Sequence, residues 1–143
     1  MQLQDCINFQ LTKVQKSVFT FFKESLAKFD VTPSQYALMS LLWNGDELSP
    51  SHIAQELDLD ASSITGLLNR MESKELIQRI YSDEDRRGIS IKITEKGLAL
   101  KKGIAATIEE CNKKVLEGIP PEDNEALRRC LAMLHENAAE LVK

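Results

Sequence analysis

The sequence has little of what metal binding or a secreted scaffold requires. Its three cysteines, Cys6, Cys111 and Cys130, are odd in number and widely spread. They fit neither a C-x2-C metal spacing nor a disulfide framework. The two histidines, His52 and His135, lie far apart, so no metal and no cofactor are expected. The six glycines are scattered singly, which excludes a glycine-rich phosphate cradle. No G-x-S-x-G is present and neither histidine lies near a cysteine, so we expect no enzyme and no catalytic residues. No run of about 18 apolar residues exists, and none is needed by a protein that does not span a membrane. The opening MQLQDCINFQ carries an acid early and lacks the basic and then apolar stretches of a signal peptide. Residence in the cytoplasm is the expectation.

What is present fits one globular domain. A chain of 143 residues, 43% apolar and 28% charged, is long enough to bury a core without disulfides or metal. The net charge of −4 is acidic, whereas nucleic-acid binders are usually basic.

Periodicity divides the chain into helices around one hairpin. Residues 3–29 place Leu3, Ile7, Leu11, Val14, Val18, Phe21, Phe22, Leu26 and Phe29 at helical spacings, reading as one long helix. Thr32-Pro33-Ser34-Gln35 supplies a capping box with proline at the first helical position. The helix it opens, residues 33–43, is apolar on nearly every side and is expected at the buried centre. Ser49-Pro50 repeats the cap-and-proline signal before a short helix with Ile53, Ala54 and Leu57 inward. Asp60 caps a further helix, residues 61–73. Beyond Leu76 the period changes to two: residues 77–82 and 89–93 alternate as antiparallel strands about a charged loop. Thr94 then caps a helix to about residue 117, Gly118-Ile119-Pro120-Pro121 breaks the chain, and a last helix runs to Leu141. The fold class is mainly α with a small β wing: a winged helix-turn-helix flanked by N- and C-terminal helices.

The helix over 61–73 carries the functional signal. Ile64, Leu67, Leu68 and Met71 fall in one sector and must face the core. The opposite sector holds Ser62, Gly66, Asn69 and Ser73, flanked by Ser63, Thr65 and Arg70. That face is small, hydrogen-bonding and free of acids until Glu72, so it suits the major groove, where amides, hydroxyls and guanidinium groups meet base edges. The helix N-terminus, with its unpaired backbone amides, also suits a phosphate. In the wing loop, Arg86 and Arg87 suit the minor groove, with Asp85 orienting an arginine. The rival reading is a winged helix that binds protein, and the acid-free face together with the arginine pair argues for DNA. Residues 49–97 nevertheless hold seven cations against nine acids. Any DNA-attracting surface must therefore come from local placement of charge.

These stretches, TPSQYALMSLLW, LSPSHIAQELDLDASSITGLLNRMESKELIQR and DEDRRGISIKITEKG, resemble the MarR family of multiple-antibiotic-resistance-type regulators. The resemblance implies a sequence-specific double-stranded DNA-binding regulator, a repressor released by a small-molecule effector. Residues 32–97 would form the DNA-binding lobe, 1–31 and 119–143 the dimerisation helices, and 98–118 a linking helix, within one domain. Ser62, Ser63, Thr65, Asn69 and Arg70 match reading-helix positions, and Arg86 and Arg87 match the wing. The chain departs from the family at Lys74-Glu75, where Lys-Gly is usual. Glycine there supplies a left-handed helix exit that glutamate adopts only at a cost.

Leu3, Ile7 and Leu11 at one end and Leu127, Leu131, Leu134 and Leu141 at the other exceed what a small domain can hide. A two-fold homodimer would bury them and set two reading helices about one DNA turn apart, implying a pseudo-palindromic operator. The resemblance also implies a pocket for a small aromatic or anionic effector, with Phe9, Phe22, Tyr36 and Trp43 as lining candidates. Peroxide-sensing relatives place a reactive cysteine and tyrosine partners at positions that fall here on Asn8, Thr12 and Phe22. None matches, and Asp5 beside Cys6 disfavours a thiolate. Cys111 and Cys130 lie on apolar helical faces and read as packing residues.

Overall fold

The computed structural model describes residues 1–82 and 88–143. Seven helices and two strands are seen among them: α1 (Ile7–Leu26), α2 (Pro33–Leu42), α3 (Pro50–Leu57), α4 (Ala61–Ser73), β1 (Ile77–Tyr81), β2 (Ile89–Ile93), α5 (Glu95–Ala99), α6 (Lys101–Val115) and α7 (Pro121–Leu141). They fall into two compact units, Met1–Glu109 and Glu110–Lys143.

In the first unit the helix starts form where the capping residues require. Thr32 Oγ1 accepts from Gln35 N at 3.2 Å while Gln35 Oε1 accepts from Thr32 N, a closed capping box. Ser49 Oγ accepts from His52 N, Asp60 from Ser63 N, and Thr94 Oγ1 from Gly97 N. Each satisfies an amide that the helix itself leaves unpaired. Helix α2 supplies the centre of the core with Leu38, Met39 and Leu42, all fully buried. Ile53 of α3, the four apolar residues of α4, and Ile77, Ile91 and Ile93 of the strands close around it.

The strands pair antiparallel, Ile77 opposite Ile93 and Tyr81 opposite Ile89. Leu48 adds a bridge to the outer edge of β2, exchanging both backbone bonds with Ile91 at 3.1 and 2.7 Å. This short addition pins the wing to the segment that precedes α3.

Two long helices expected from periodicity are broken. The segment 3–29 is a 3-10 turn (Leu3–Asp5), then α1, then a second 3-10 turn (Ala27–Phe29). Asp5 accepts from Gln2 N at 3.1 Å, and Cys6 is extended (φ −75°, ψ 117°), so the chain turns before α1 begins. At the other end Asp30 is left-handed, with φ 55°. The helix after Thr94 is likewise divided at Leu100 into α5 and α6. Gly97 lies so close to the strands that a Cβ there would sit 2.5 Å from the Leu76 carbonyl oxygen. Leu100 N then bonds Gly97 O, three residues back, which tightens the turn.

The apolar residues of the terminal helices are largely exposed. Leu3, Ile7, Leu11, Val14 and Phe19 at the N-terminal end are all more than a third exposed. In the second unit α7 has no buried residue. Leu127, Leu131, Met133 and Leu141 are exposed along it. Cys111 is buried but Cys130 is exposed, so the packing role expected of both holds only for Cys111 in the single chain.

Candidate nucleic-acid interface

Helix α4 has the expected two faces. Ile64, Leu67, Leu68 and Met71 are buried, and Ser62, Ser63, Thr65, Asn69 and Arg70 are exposed, with Gly66 half-buried. Gly66 has a local reason for lacking a side chain. A Cβ there would lie 3.1 Å from Arg70 Nη1, because the Arg70 guanidinium folds back over it. The middle of the outward face is therefore low and carries one positive group. Low relief is what a helix needs to approach base edges closely.

The hydroxyls are already engaged as donors. Thr65 Oγ1 donates to Ala61 O at 2.9 Å, Ser73 Oγ to Asn69 O at 2.9 Å, and Ser62 Oγ to Asp60 Oδ1 at 3.0 Å. Their remaining capacity toward a ligand is as acceptors.

Asp60 changes the chemistry expected at the start of α4. Its Oδ1 accepts from Ser63 N at 2.7 Å as well as from Ser62 Oγ. The Ser63 backbone bond, followed by the Ser63 and Ser62 side chains, holds the Asp60 carboxyl below the usual carboxylate range. The first turn is thus capped by a carboxylate. A phosphate expected there would meet a negative charge and an amide already bonded, so the anion-binding role is withdrawn.

Sequence reasoning missed Arg79. In the strand register Arg79 stands opposite Ile91, on the face of β1 that includes buried Ile77. Its stem runs along that face and its guanidinium reaches α4. There Nη2 donates to Asn69 Oδ1 at 2.8 Å and Nη1 pairs with Glu72 Oε1. The available signal was an arginine in phase with Ile77: a cation on an inward-facing strand position needs a partner.

The exit of α4 is fixed by a second polar cluster. Leu76 N donates to Met71 O at 3.0 Å and Glu75 N to Glu72 O at 2.9 Å, the paired bonds of a Schellman ending. Glu75 takes the left-handed position (φ 62°) that glycine usually fills. Thr94 Oγ1 donates to Glu75 O at 2.6 Å, and Lys96 Nζ donates to Lys74 O at 2.9 Å. Lys74 Nζ reaches the other way, to Asp30 O at 2.6 Å and Gln35 Oε1 at 2.9 Å. Gln35 is almost fully buried, and this donor together with Thr32 N satisfies its carbonyl. The end of α4 is therefore tied to both the wing and the start of α2.

The wing residues Asp85, Arg86 and Arg87 lie outside the described residues. Of the effector candidates, Tyr36 and Trp43 come together, with ring centroids 5.8 Å apart, and both pack against the core. Phe22 meets Phe21 edge-on at 6.1 Å, and Phe9 is half-buried. The Trp43 indole nitrogen is buried without a hydrogen-bond partner among the described residues.

Comparison with known proteins bears on the whole chain. Residues 31–89 match a sequence model described as the MarR family. The organic hydroperoxide resistance transcriptional regulator of Bacillus subtilis is 32% identical over 139 residues, 95% of this chain and 94% of that protein. A MarR-family transcriptional regulator from Rhodococcus sp. RHA1 superimposes with a TM-score of 0.83 at 26% identity, covering 94% of this chain and 95% of the other. CouR from Rhodococcus jostii RHA1, solved bound to p-coumaroyl-CoA, does so with 0.82 at 26% identity, covering 94% of each.

Proposed function

The chain belongs to the MarR family of transcriptional regulators, and from that premise we propose that it is a sequence-specific double-stranded DNA-binding repressor of transcription, released by a small-molecule effector and working in the cytoplasm as a homodimer. The observation that carries the reading is the outward face of α4. Ser62, Ser63, Thr65, Asn69 and Arg70 stand exposed on a low surface, while every apolar residue opposite them is buried. Arg70 supplies the charge of the helix, and Arg86 and Arg87 of the wing supply the rest. Asp85 orients an arginine there.

The dimer follows from surface that a single chain leaves uncovered. A 21-residue helix without one buried residue, α7, is not a stable isolated element in water unless its apolar stripe is covered. Residues 1–31 and 119–143 form the dimer region, 98–118 link it to the DNA-binding lobe at 32–97, and the two-fold axis implies a pseudo-palindromic operator. No helix among the described residues is long and apolar enough to cross a membrane. The aromatic acyl group in the CouR complex supports a small aromatic or anionic effector here. Tyr36 and Trp43 are the better-placed lining residues, with Phe9 and Phe22 beside them in the proposal. No enzymatic role is proposed.

The test is a selection of bound sequences from random duplex DNA, followed by affinity measured across salt concentrations. The proposal expects a two-fold symmetric motif and an affinity that falls steeply with salt. Arg70→Ala and Arg87→Ala should each weaken binding by roughly fivefold or more. An affinity flat in salt, or indifferent to both substitutions, would overturn the reading and favour a protein-binding winged helix.

A further inference from the structure

Resting on the proposal that α4 reads DNA, we infer that Arg79 is a positioning residue that holds the Asn69 amide oxygen and leaves its Nδ2 donors to meet the base, so that Asn69 selects guanine or thymine rather than adenine. An asparagine amide has two ends, and at a base edge its usual partner is adenine. That pairing needs both ends: Oδ1 accepts from N6 while Nδ2 donates to N7. Here the oxygen end is already held by a cation. Arg79 Nη2 lies 2.8 Å from the Asn69 amide. A guanidinium has donors and no acceptor, so the atom it faces must be the oxygen.

The arginine is itself held. Its second nitrogen pairs with Glu72 Oε1 and its side chain is only 18% exposed. Glu72 is one helical turn beyond Asn69 on α4, so both partners of Arg79 lie on the helix and the guanidinium spans them. With Oδ1 accepting from Arg79, an incoming N6–H donor from adenine would have to share that oxygen with a guanidinium N–H already held in place. Asn69 is exposed, and the group it offers without a competing partner is the Nδ2 donor pair. In the major groove guanine offers such a donor two adjacent acceptors, O6 and N7, and thymine offers O4, whereas adenine offers N7 alone, beside an N6–H donor that must compete with Arg79 for Oδ1. Glu72, the first acid on the reading helix, is then neutralised locally instead of repelling phosphates.

The experiment is base selection from random duplex DNA with the full-length protein and four variants, each first shown to melt cooperatively. Asn69→Ala marks the position Asn69 reads, as the one whose preference disappears. At that position the wild-type protein should favour guanine or thymine over adenine by roughly fivefold or more. Arg79→Met removes the donors but keeps the stem, and it should shift the preference toward adenine. Arg79→Lys keeps a donor to Oδ1 and should retain the wild-type preference, a rescue that loss of packing alone would not show. Glu72→Gln should loosen the arginine and give an intermediate shift. An Arg79→Met motif identical to wild type at the marked position would overturn the inference, as would an Asn69→Ala motif unchanged everywhere. Failure of the DNA-reading proposal looks different: the wild-type protein then enriches no motif at all.

Discussion

Two regions of this chain carry the same helical spacing of apolar residues and put it to opposite use. Around α4 the spacing predicts burial and burial follows: Leu42, Ile53 and Met71 are fully enclosed. In α7 and at the N-terminal end of α1 the spacing is as regular, yet Leu131, Leu141, Ile7 and Val14 face outward. Periodicity fixes which residues share a face. It does not say whether that face is covered by the same chain. Around α4 the neighbours are short helices at close sequence separation, which one chain can fold together. The apolar residues of α7 and of the N-terminal part of α1 are left exposed in the single chain, and a second copy is the proposed cover.

The sharpest way to break this comparison is to remove one leucine from each region. Leu42→Ala should cost about 2–5 kcal/mol of folding stability, read by denaturant titration, and the loss should be the same at every protein concentration. Leu131→Asp should instead raise the dimer dissociation constant at least about tenfold, read by sedimentation over a dilution series. Equal, concentration-independent losses for both would mean that α7 is covered within its own chain.

A smaller effect separates close approach from ordinary core packing. Gly97 is enclosed by the Leu76 carbonyl and the Ile93 side chain, which a Cβ would meet at 2.5 and 2.8 Å. Backbone cannot swing aside as a flexible side chain does. Gly97→Ala should therefore cost about 1–3 kcal/mol, seen as a lower Tm, and weaken DNA binding by shifting the wing against α4. Gly118 has open space around its missing side chain but sits at φ +85°, so Gly118→Ala should lower Tm through backbone strain alone and leave DNA binding unchanged.

Local chemistry explains what could be read in advance. The caps at Thr32, Ser49, Asp60 and Thr94, the two faces of α4 and the strand alternation each depend on residues within about four positions of one another, and all were legible. The breaks at Cys6 and Leu100 were not. Helical spacing continues through both, and the second break is tied to a contact between Gly97 and Leu76, twenty-one positions apart. Lys74 with Gln35 and Arg79 with Asn69 escape notice for the same reason: their separations of 39 and 10 residues are settled by packing. The candidate site was thus legible in its residue types and in its exposed face. How Arg79 modifies Asn69, and how Asp60 closes the helix start, required the packed chain.

The smallest effect tests Glu75, where the resemblance in sequence implies a glycine. Glu75 sits left-handed at φ 62°, a conformation that costs a side-chain-bearing residue roughly 1–2 kcal/mol. Replacement by glycine relieves that strain but adds freedom to the unfolded chain, which returns about 0.4–1 kcal/mol. Among the described residues the other loss is the pair with Lys96, 4.0 Å apart with both side chains more than half exposed, and such pairs contribute little. The Thr94 and Schellman bonds use the Glu75 backbone alone and survive. Relief exceeds the losses, so Glu75→Gly should stabilise the protein by about 0.5 kcal/mol and raise Tm by roughly 1–3 °C. Asp58 is left-handed at the end of α3 in the same way, and Asp58→Gly should behave alike. A fall in Tm at Glu75 alone would show that its carboxylate holds the α4 exit through Lys96, and that the side chain, not the backbone, sets where the wing begins.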